Sequence, residues 1–432
     1  MRSRPNLSPS KPSLPGRRDL RLAVVSPFLD RQHGTERCIV EQIERFLQRP
    51  DCEVHIYSQS VRDLEVVPFS SRSSDPAIAR RAIWHRVPAL PAPHLFNFLW
   101  WYFANQALRR FHRIFRSLSY DVIFSPGINC SDADAIVAHA VFHRLYRDVH
   151  GELRLRSAPL SNWPVLLHRR LYYRLLMALE KRIYPDKKIT LAAVSNLTAS
   201  ELAAFFSRTD VAVIPNAVDI SRFNPAERLR RRAEARSELQ ISESSFVVLL
   251  IGNDWKNKGL RCLLQSVAAL PQLPLQVLVA GRDNRDLFLP QIDSLQIRQR
   301  VLFADPSPDV MRFYAATDAY CGPSLHESFS LPPLEAMACG LPVIASARSG
   351  VSQAITHGSD GFLLDNPEDA AALAELLARL CQQPDLRRSL GENAARTAQS
   401  YSWERNAAET WEFLCKAARS SSTAPPEAAT RQ

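Results

Sequence analysis

Closely spaced cysteines are missing from this chain of 432 residues, and with them the usual marks of a disulfide framework or a zinc site. No two cysteines form a C-x-x-C pair, and several lie in apolar segments, where a free thiol packs as a small hydrophobic group. We therefore expect a protein of a reducing compartment. The eight cysteines are scattered at Cys38, Cys52, Cys130, Cys262, Cys321, Cys339, Cys381 and Cys415.

Long apolar runs are missing as well. The first residues are basic and rich in serine and proline, yet no apolar segment follows them, which argues against a secretory signal. The most apolar run, residues 95–104, has about half of the ~20 residues that a membrane-spanning helix needs. We expect the protein to be made and kept in the cytoplasm, with a peripheral place on the cytoplasmic face of the inner membrane left open.

The positive charge is distributed unevenly along the chain. Residues 1–225 hold 32 Lys and Arg against 20 Asp and Glu, a net charge of +12, while the remainder holds 22 against 24, a net charge of −2. The basic half therefore suits an anionic partner. Nucleic acid is disfavoured because no recognisable nucleic-acid module is present. An anionic membrane surface or a phosphorylated glycolipid acceptor fits better, and a merely basic surface is the alternative.

Short apolar segments alternate with helical patterns in both halves, which predicts βαβ units and parallel sheets. In the first half we predict a helix at residues 36–48 and strands at residues 21–27, 53–58, 121–125, 189–195 and 211–215. In the second half we predict strands at residues 246–252, 275–281, 301–303, 319–322 and 342–346, with helices at residues 258–270, 309–316, 331–339 and 369–381.

These elements predict an α/β fold with two doubly wound domains that face a cleft. The basic segment 225–244 is expected to contain the linker, and an amphipathic helix follows the second domain. Both ends of the chain are polar and are expected to be disordered. The predicted boundaries are 1–17 for the disordered start, 18–225 and 240–400 for the two domains, 401–418 for the last helix, and 419–432 for the disordered tail.

Two glutamates eight residues apart give the most specific signal in the chain. Glu327 lies in a loop, and Glu335 is expected about one turn inside the apolar helix that follows. The free N–H groups and the positive dipole of that helix N-terminus form an anion site between the two carboxylates. Carboxylates beside an anion site suit a ligand that carries both phosphate and hydroxyl groups, such as a nucleotide sugar.

This stretch resembles the E-x7-E segment of the retaining GT-B glycosyltransferases, in particular glycosyltransferase family 4. Further segments follow in the family's order at residues 33–37, 213–223, 249–260, 304–324 and 350–364. The resemblance spans residues 21–417 and implies a GT-B fold, in which two Rossmann-like domains face a cleft and the C-terminal helix crosses back to the first domain. It also implies a nucleotide-diphosphate sugar as co-substrate, with no metal and no other cofactor.

The resemblance assigns roles to residues around the helix start. Lys258 would neutralise the diphosphate, Glu327 would face the sugar, and Glu335 would bind the ribose hydroxyls. The backbone N–H groups of Ser330, which stands where the family often has glycine, and of Leu331 would bind the diphosphate. The alternatives are a solvated surface lysine for Lys258 and helix capping or surface ion pairing for the glutamates.

The chain departs from the family pattern at the second basic residue that binds the diphosphate. A basic residue is usual five residues or one residue before the lysine, where this chain has Asn253 and Asn257. Lys256 or Arg282 could substitute, since Arg282 directly follows a predicted strand end. A surface position at a helix start is the alternative for Arg282.

The first half offers two further candidate positions. In the loop at residues 33–37, His33 replaces the first glycine of the family's usual pair, and Gly34 still allows backbone N–H groups to approach a phosphate. A structural turn is the alternative for Gly34. His139 follows a short apolar strand, where related enzymes place a residue near the transferred sugar. With His143 it also forms H-x3-H, a zinc-like spacing without a suitable third ligand, and packing or solvation remains open.

Aromatic and arginine residues are mixed in the segments 93–118 and 166–184. This combination is typical of an interface between lipid and water, although core helices with one basic face would give the same pattern.

We expect a retaining hexosyl- or heptosyltransferase that acts on an anionic glycolipid or polysaccharide precursor of the cell envelope, similar to lipopolysaccharide-core transfer. A sugar-nucleotide epimerase of the same fold and a non-catalytic nucleotide-sugar-binding protein are the alternatives.

Overall fold

The computed structural model describes residues 20–69, 82–149 and 160–422. Within these ranges the chain folds into two α/β domains, each built around a parallel sheet. The first domain contains β1 (Leu20–Val25), β2 (Phe28–Leu29), α1 (Gly34–Phe46), β3 (Cys52–Ser58), β4 (Ser60–Val61), β5 (Val66–Pro68), β6 (Ala82–Arg86), α2 (His94–Phe115), β7 (Val122–Ser125), β8 (Ala135–Ala138), α3 (Phe142–Val149), α4 (Trp163–Ile183), β9 (Thr190–Ala193), α5 (Asn196–Phe206) and β10 (Ala212–Val213).

The sheet of the first domain has eight strands in the order β10-β9-β8-β7-β1-β3-β6-β5, and all neighbouring strands are parallel. In the centre, Leu22 of β1 is in register with Val54 of β3 and Val122 of β7. The last four residues of β1 are fully buried. Burial on both faces explains why this strand is a continuous apolar run in the sequence.

The second domain contains α6 (Pro225–Glu238), β11 (Phe246–Ile251), α7 (Leu260–Ala268), β12 (Leu275–Ala280), α8 (Leu289–Ser294), β13 (Val301–Ala304), α9 (Met311–Ala316), β14 (Ala319–Gly322), α10 (Leu331–Ala338), β15 (Val343–Ser346), β16 (Phe362–Leu364), α11 (Ala370–Gln382) and α12 (Pro384–Ala398). Its six parallel strands have the order β13-β12-β11-β14-β15-β16. This is the strand order of the doubly wound nucleotide-binding fold. The predicted α/β class with two such domains is confirmed.

Helix α6 begins the basic segment in which the sequence analysis expected the linker. Arg232 and Arg236 on this helix donate hydrogen bonds to Asp318, which directly precedes β14 of the second domain. Arg231 forms an ion pair with Asp309 of the same domain. The helix therefore packs on the second domain, and the chain passes between the two sheets before Pro225.

The last helix, α13 (Trp403–Ser422), packs on α1 of the first domain. Gln42 Nε2 lies 2.8 Å from Asn406 Oδ1 and 3.2 Å from Thr410 Oγ1, and Arg45 forms an ion pair with Glu404 at 2.7 Å. The helix thus crosses back to the first domain, as expected. It extends to Ser422, into the segment predicted to be disordered. The rest of that tail and the predicted disordered start lie outside the described residues.

Loops at the carboxyl ends of the strands meet between the two domains. Ser195 follows β9, and its hydroxyl donates to the carbonyl of Ser328, which follows β14, at 2.5 Å. Gly350, after β15, lies so close to Ser195 that an added Cβ would be 2.5 Å from the Ser195 hydroxyl oxygen. Ligands of open α/β sheets bind beyond these strand ends, so the candidate site lies between the domains.

Candidate active site

Helix α10 begins with an unusual backbone conformation. Ser330, the residue before the helix, has φ +77° and ψ 108°, a conformation that suits glycine and strains an L-residue. Pro332 and Pro333 occupy the first turn, where their missing N–H groups cost no helical hydrogen bond. Because these prolines carry no N–H, the backbone donors that remain at this end are those of Ser330, Leu331 and Leu334.

Lys258 and Glu327 form an ion pair near this helix end. Nζ lies 2.5 Å from Oε1, and the two side chains are only 10% and 13% exposed. Lys258 Nζ also lies 3.3 Å from the hydroxyl oxygen of Ser330. The next residue, Gly259, has φ +80°, and a Cβ there would lie 2.0 Å from the carbonyl oxygen of Pro323. The local backbone therefore requires a glycine directly after this lysine.

The carboxylate of Glu327 is fixed in place but uses only one of its oxygens. The Glu327 N–H donates to the carbonyl of Arg348 at 3.2 Å, and its carbonyl accepts from the N–H of Gly350 at 2.9 Å. Oε2 is buried and has no hydrogen-bond partner in the described part of the chain. A buried oxygen of this kind raises the free energy of the folded state until a donor reaches it. The arrangement suits a ligand that brings a hydroxyl group.

Glu335, by contrast, uses both carboxylate oxygens. Arg37 Nη1 donates to Oε1 at 2.8 Å, and the Tyr314 hydroxyl donates to Oε2 at 2.7 Å. Burial, together with the neighbouring Glu335 carboxylate, raises the pKa of Tyr314 well above its usual value. The phenol therefore stays protonated and remains a donor. Glu335 is held in one orientation, and its remaining lone pairs are available to further donors.

Arg37 is the residue of this site that the sequence analysis did not single out. It lies in α1 of the first domain, close to Gly34, and reaches Glu335 of the second domain. Burial would lower its pKa, but the Glu335 carboxylate outweighs burial, so the pKa of Arg37 is raised. The one sequence signal was its position in the family-like loop at residues 33–37. Its partner is 298 positions away.

Both neighbours of Glu327 in the sequence are tied to the first domain. The imidazole Nε2 of His326 lies 2.6 Å from Oε1 of Glu201 on α5, and both side chains are buried. On the other side, the carbonyl of Ser328 accepts from the Ser195 hydroxyl. The position of the Glu327 carboxylate therefore depends on how the domains meet.

His139 and His143 have different surroundings. Nε2 of His139 is inaccessible to water and has no partner in the described ranges, and burial lowers the pKa of His139 to about 4. His143 Nδ1 lies 2.6 Å from Oε2 of Glu180. Burial raises the pKa of Glu180 to about 7, against the backbone N–H groups of Phe142 and His143. Nowhere in the described residues do three metal-ligating side chains come together.

The loop at Gly34 leaves open space beside the backbone. A Cβ added at Gly34 would meet no atom within 4 Å. Beside it, His33 Nδ1 lies 2.9 Å from Oδ1 of Asp30. Burial tends to raise the pKa of Asp30, but hydrogen bonds from His33 and Gln32 outweigh it, so the pKa is lowered. The histidine therefore anchors the loop.

The two asparagines at the family's cation positions have structural partners. Asn257 Nδ2 donates to the carbonyl of His326 at 2.9 Å, and Asn253 Oδ1 accepts the backbone N–H of Arg282 at 2.9 Å. The side chains of Lys256 and Arg282 are exposed. The structure thus brings Lys258, Glu327 and Ser330 into direct contact, while Lys256 and Arg282 remain outside that group.

Comparison with protein families gives two matches that together cover most of the chain. Residues 33–222 match the model described as Glycosyltransferase Family 4, and residues 231–397 match Glycosyl transferases group 1. A D-inositol 3-phosphate glycosyltransferase of Corynebacterium urealyticum is 34% identical over 229 residues. That alignment covers 50% of this chain and 53% of the relative, so the chain spans about half the length of the curated relative that it matches.

Solved structures with the same fold include glycosyltransferases of low sequence identity. WaaG, a glycosyltransferase involved in lipopolysaccharide biosynthesis, has a TM-score of 0.70 at 20% identity and covers 91% of this chain and 99% of its own. Anabaena HepE in complex with UDP and glucose has a TM-score of 0.64 at 18% identity, with 92% and 99% covered. These likenesses show the fold. The chain belongs to glycosyltransferase family 4, the glycosyl transferases group 1, and has the GT-B fold.

Proposed function

We propose that this protein is a retaining glycosyltransferase that moves a hexose or heptose from a nucleotide-diphosphate sugar to a cell-envelope glycolipid or polysaccharide precursor. The observation that carries the proposal is the Lys258–Glu327 pair at the start of α10, where one carboxylate oxygen lacks a donor. Binding of UDP by HepE, which has the same fold, supports a nucleotide donor.

In this proposal the diphosphate lies at the N-terminus of α10. Lys258 and the N–H groups of Ser330 and Leu331 neutralise its charge, without a metal ion. Glu335, oriented by Tyr314 and Arg37, accepts hydrogen bonds from the ribose hydroxyls.

Three further residues complete the proposed donor site from its edges. Gly34 lets the backbone of the first domain approach the phosphates, because open space lies beside it. Lys256 and Arg282 add positive charge at the exposed edge of the site. They would compensate in part for the asparagines at the family's cation positions.

The proposed reaction is a substitution on one face of the sugar. The bond between the anomeric carbon and the phosphate oxygen breaks, and a bond to the acceptor oxygen forms on the same face. The acceptor proton passes to the departing diphosphate, whose negative charge is stabilised by Lys258. The free oxygen of Glu327 accepts a hydrogen bond from a sugar hydroxyl, and the carboxylate stabilises the positive charge that develops on the sugar ring.

His139 contributes to this reaction as a neutral side chain. Because burial lowers its pKa to about 4, the imidazole is uncharged at neutral pH. Its buried Nε2 has no partner in the described residues and could exchange a hydrogen bond with the sugar or the acceptor hydroxyl. A neutral imidazole avoids an additional positive charge beside the developing oxocarbenium ion.

Three observations bear on the acceptor. The relative named above acts, by its name, on inositol 3-phosphate, and WaaG acts in lipopolysaccharide biosynthesis. The net charge of +12 on residues 1–225 favours an anionic acceptor. We favour a lipid-linked acceptor and a peripheral place on the cytoplasmic face of the inner membrane.

The test is a screen for release of UDP, GDP or ADP from a panel of nucleotide sugars, with bacterial lipid extracts or inositol 3-phosphate as acceptor. Product NMR should show a new glycosidic bond with the anomeric configuration of the donor. We expect Glu327→Ala to lower kcat/KM by about 10²–10³-fold. The exposed Glu375→Ala is the control and should leave it unchanged.

Other outcomes assign other functions. An isomerised donor without a new glycosidic bond would identify an epimerase. Donor binding without any turnover would identify a binding protein, a result that the asparagines at positions 253 and 257 would help to explain. Full activity of Glu327→Ala would remove that residue from the mechanism.

A further inference from the structure

Exposed apolar side chains are concentrated on two helices of the first domain. In the described part of the chain, 14 large apolar side chains are exposed, and 11 of them lie between residues 90 and 171. On α2 they recur at helical spacing and form a stripe along its outer face. We call these side chains the α2–α4 surface: Phe96, Trp100, Phe103, Phe111, Ile114 and Phe115 on α2, and Trp163, Val165, Leu167 and Leu171 on α4.

The two helices are joined by direct contacts. The N–H of Leu95 lies 3.4 Å from Nε2 of His168, and the rings of Phe98 and Tyr172 are 5.8 Å apart. Phe96 and Trp100 on α2 and Leu167 and Leu171 on α4 lie next to these contacts in the sequence. The exposed side chains at the start of α2 therefore form one patch with those of α4, and the stripe continues along α2. A patch of this kind marks an interaction site.

The charge on these helices has one sign. Helix α2 contains no acidic residue, and the one acidic residue of α4, Glu180, is fully buried against His143. A second copy of this chain seated on the same face would bring arginine against arginine, which disfavours a symmetric dimer. The exposed basic side chains are Arg110, Arg113 and Arg116 at the end of α2, and Arg169, Arg174, Lys181 and Arg182 on α4.

We infer that the α2–α4 surface docks the first domain on an anionic lipid bilayer. Aromatic and aliphatic side chains would enter the boundary between headgroups and acyl chains, and the arginines would contact anionic headgroups. In the described ranges, no helix has the length and apolar character needed to span a bilayer. Both helices would therefore lie in the plane of the interface.

A series of contacts connects the α2–α4 surface with the candidate active site. Helix α3 packs on α4, where the rings of Tyr146 and Tyr173 are 5.8 Å apart. On the same helix, Arg144 Nε lies 3.7 Å from Oε1 of Glu201. Glu201 in turn binds His326, the residue before Glu327. The inference rests on the proposed function only for the lipid-linked acceptor, because the surface itself does not depend on the chemistry.

The test is flotation of the full chain with vesicles of phosphatidylcholine alone and of phosphatidylcholine with about one third phosphatidylglycerol. We expect binding to the anionic vesicles that weakens as salt is raised. Phe103→Ser/Phe111→Ser/Ile114→Ser and, separately, Arg110→Glu/Arg113→Glu should each weaken it at least tenfold. Controls with changes of the same kind at exposed positions elsewhere are Leu229→Ser/Leu287→Ser and Arg285→Glu/Arg388→Glu, which should bind like the unchanged protein.

Three results would overturn the inference. These are absence of binding to the anionic vesicles at low salt, equal binding by the surface variants and the unchanged protein, and a dimer in light scattering that the triple serine variant dissociates. Glu327→Ala should float like the unchanged protein. If the protein floats with anionic vesicles while no donor is consumed, the docking surface stands and the transferase proposal fails. If the donor is consumed while the protein does not float, the transferase proposal stands and the docking surface fails.

Discussion

Among single residues, Ser330 combines a strained backbone with a contact to the candidate catalytic lysine. A non-glycine residue in a sparsely populated conformation costs on the order of 1 kcal/mol or more. Its hydroxyl oxygen nevertheless lies 3.3 Å from Nζ of Lys258. We interpret the strain as the cost of a serine hydroxyl that orients this lysine at the start of α10.

Replacing Ser330 with glycine tests this interpretation. We expect the free energy of unfolding to rise by up to about 1 kcal/mol as strain is relieved, while KM for the donor rises several-fold because Lys258 loses a partner. Urea unfolding and initial-rate kinetics measure the two effects. Ser207→Gly, at φ +57° after α5, is the control and should not change KM. An unchanged KM in Ser330→Gly would contradict the proposed orientation of the lysine.

The Arg37–Glu335 pair makes a second prediction at this scale. Both side chains are mostly buried, at 17% and 7% exposure, so their interaction is weakly screened. A double-mutant cycle with Arg37→Met and Glu335→Gln should give a coupling free energy of about 2 kcal/mol in urea unfolding. The exposed pair Arg298–Asp293 should give less than about 1 kcal/mol. Equal coupling in both cycles would show that the interdomain pair contributes no special stability.

The sequence predicted some of these contacts and not others, for a physical reason. Lys258 and Glu327 could be found because each lies in a local segment that resembles the family. Arg37 could not be paired with Glu335, since nothing local records a contact across two domains. The structural use of Asn257 was hidden in the same way, because its partner is the backbone carbonyl of His326.

Individual elements were predictable where both faces are buried or where proline marks a boundary. The central strands β1 and β11 were found within a residue or two, and α10 begins at the predicted residue, Leu331. The three-residue strand β16 was not predicted. Helix α6 lies in the segment that was expected to contain the linker, because a charged sequence does not show which of its arginines bind the second domain.

Helix α13 allows a prediction about the junction between the domains. Asn406 is buried and links Gln42 on α1 with the carbonyl of Pro215, which it contacts at 2.7 Å. Asn406→Ala should lower the free energy of unfolding by about 2 kcal/mol, because two buried polar groups lose a partner. Asn393→Ala on α12, whose two contacts, with the Ser359 carbonyl and with Arg396, both lie near the surface, should cost less than half as much. Equal losses would argue against a special role for the buried contact.

At the scale of the whole molecule, two buried groups give opposite dependences of stability on pH. The pKa of His139 is lowered to about 4, so its contribution is present at neutral pH and is lost as pH falls below about 6.5. The pKa of Glu180 is raised to about 7, so its contribution is present at low pH and is lost as pH rises from about 4.5 to 7. Over this range the two effects largely cancel.

Removing one of these groups should make the pH dependence of stability that the other causes measurable. We compare the free energy of unfolding of His139→Asn with that of the unchanged protein at each pH. The difference between them should be about 2 kcal/mol more favourable to the variant at pH 4.5 than at pH 7.5. Urea unfolding at both pH values measures the difference. His94→Asn, at an exposed position, should show no such change. The same difference at both pH values would show that His139 is not buried in its neutral form.

The proposed chemistry of the whole molecule requires a nucleotide sugar to bind between the domains, at the start of α10. A crystal structure with a bound donor measures this most directly. We predict the diphosphate within hydrogen-bond distance of Lys258 Nζ and of the N–H groups of Ser330 and Leu331, with a sugar hydroxyl on the free oxygen of Glu327. A donor bound elsewhere, with both E-x7-E carboxylates turned away from it, would contradict the account.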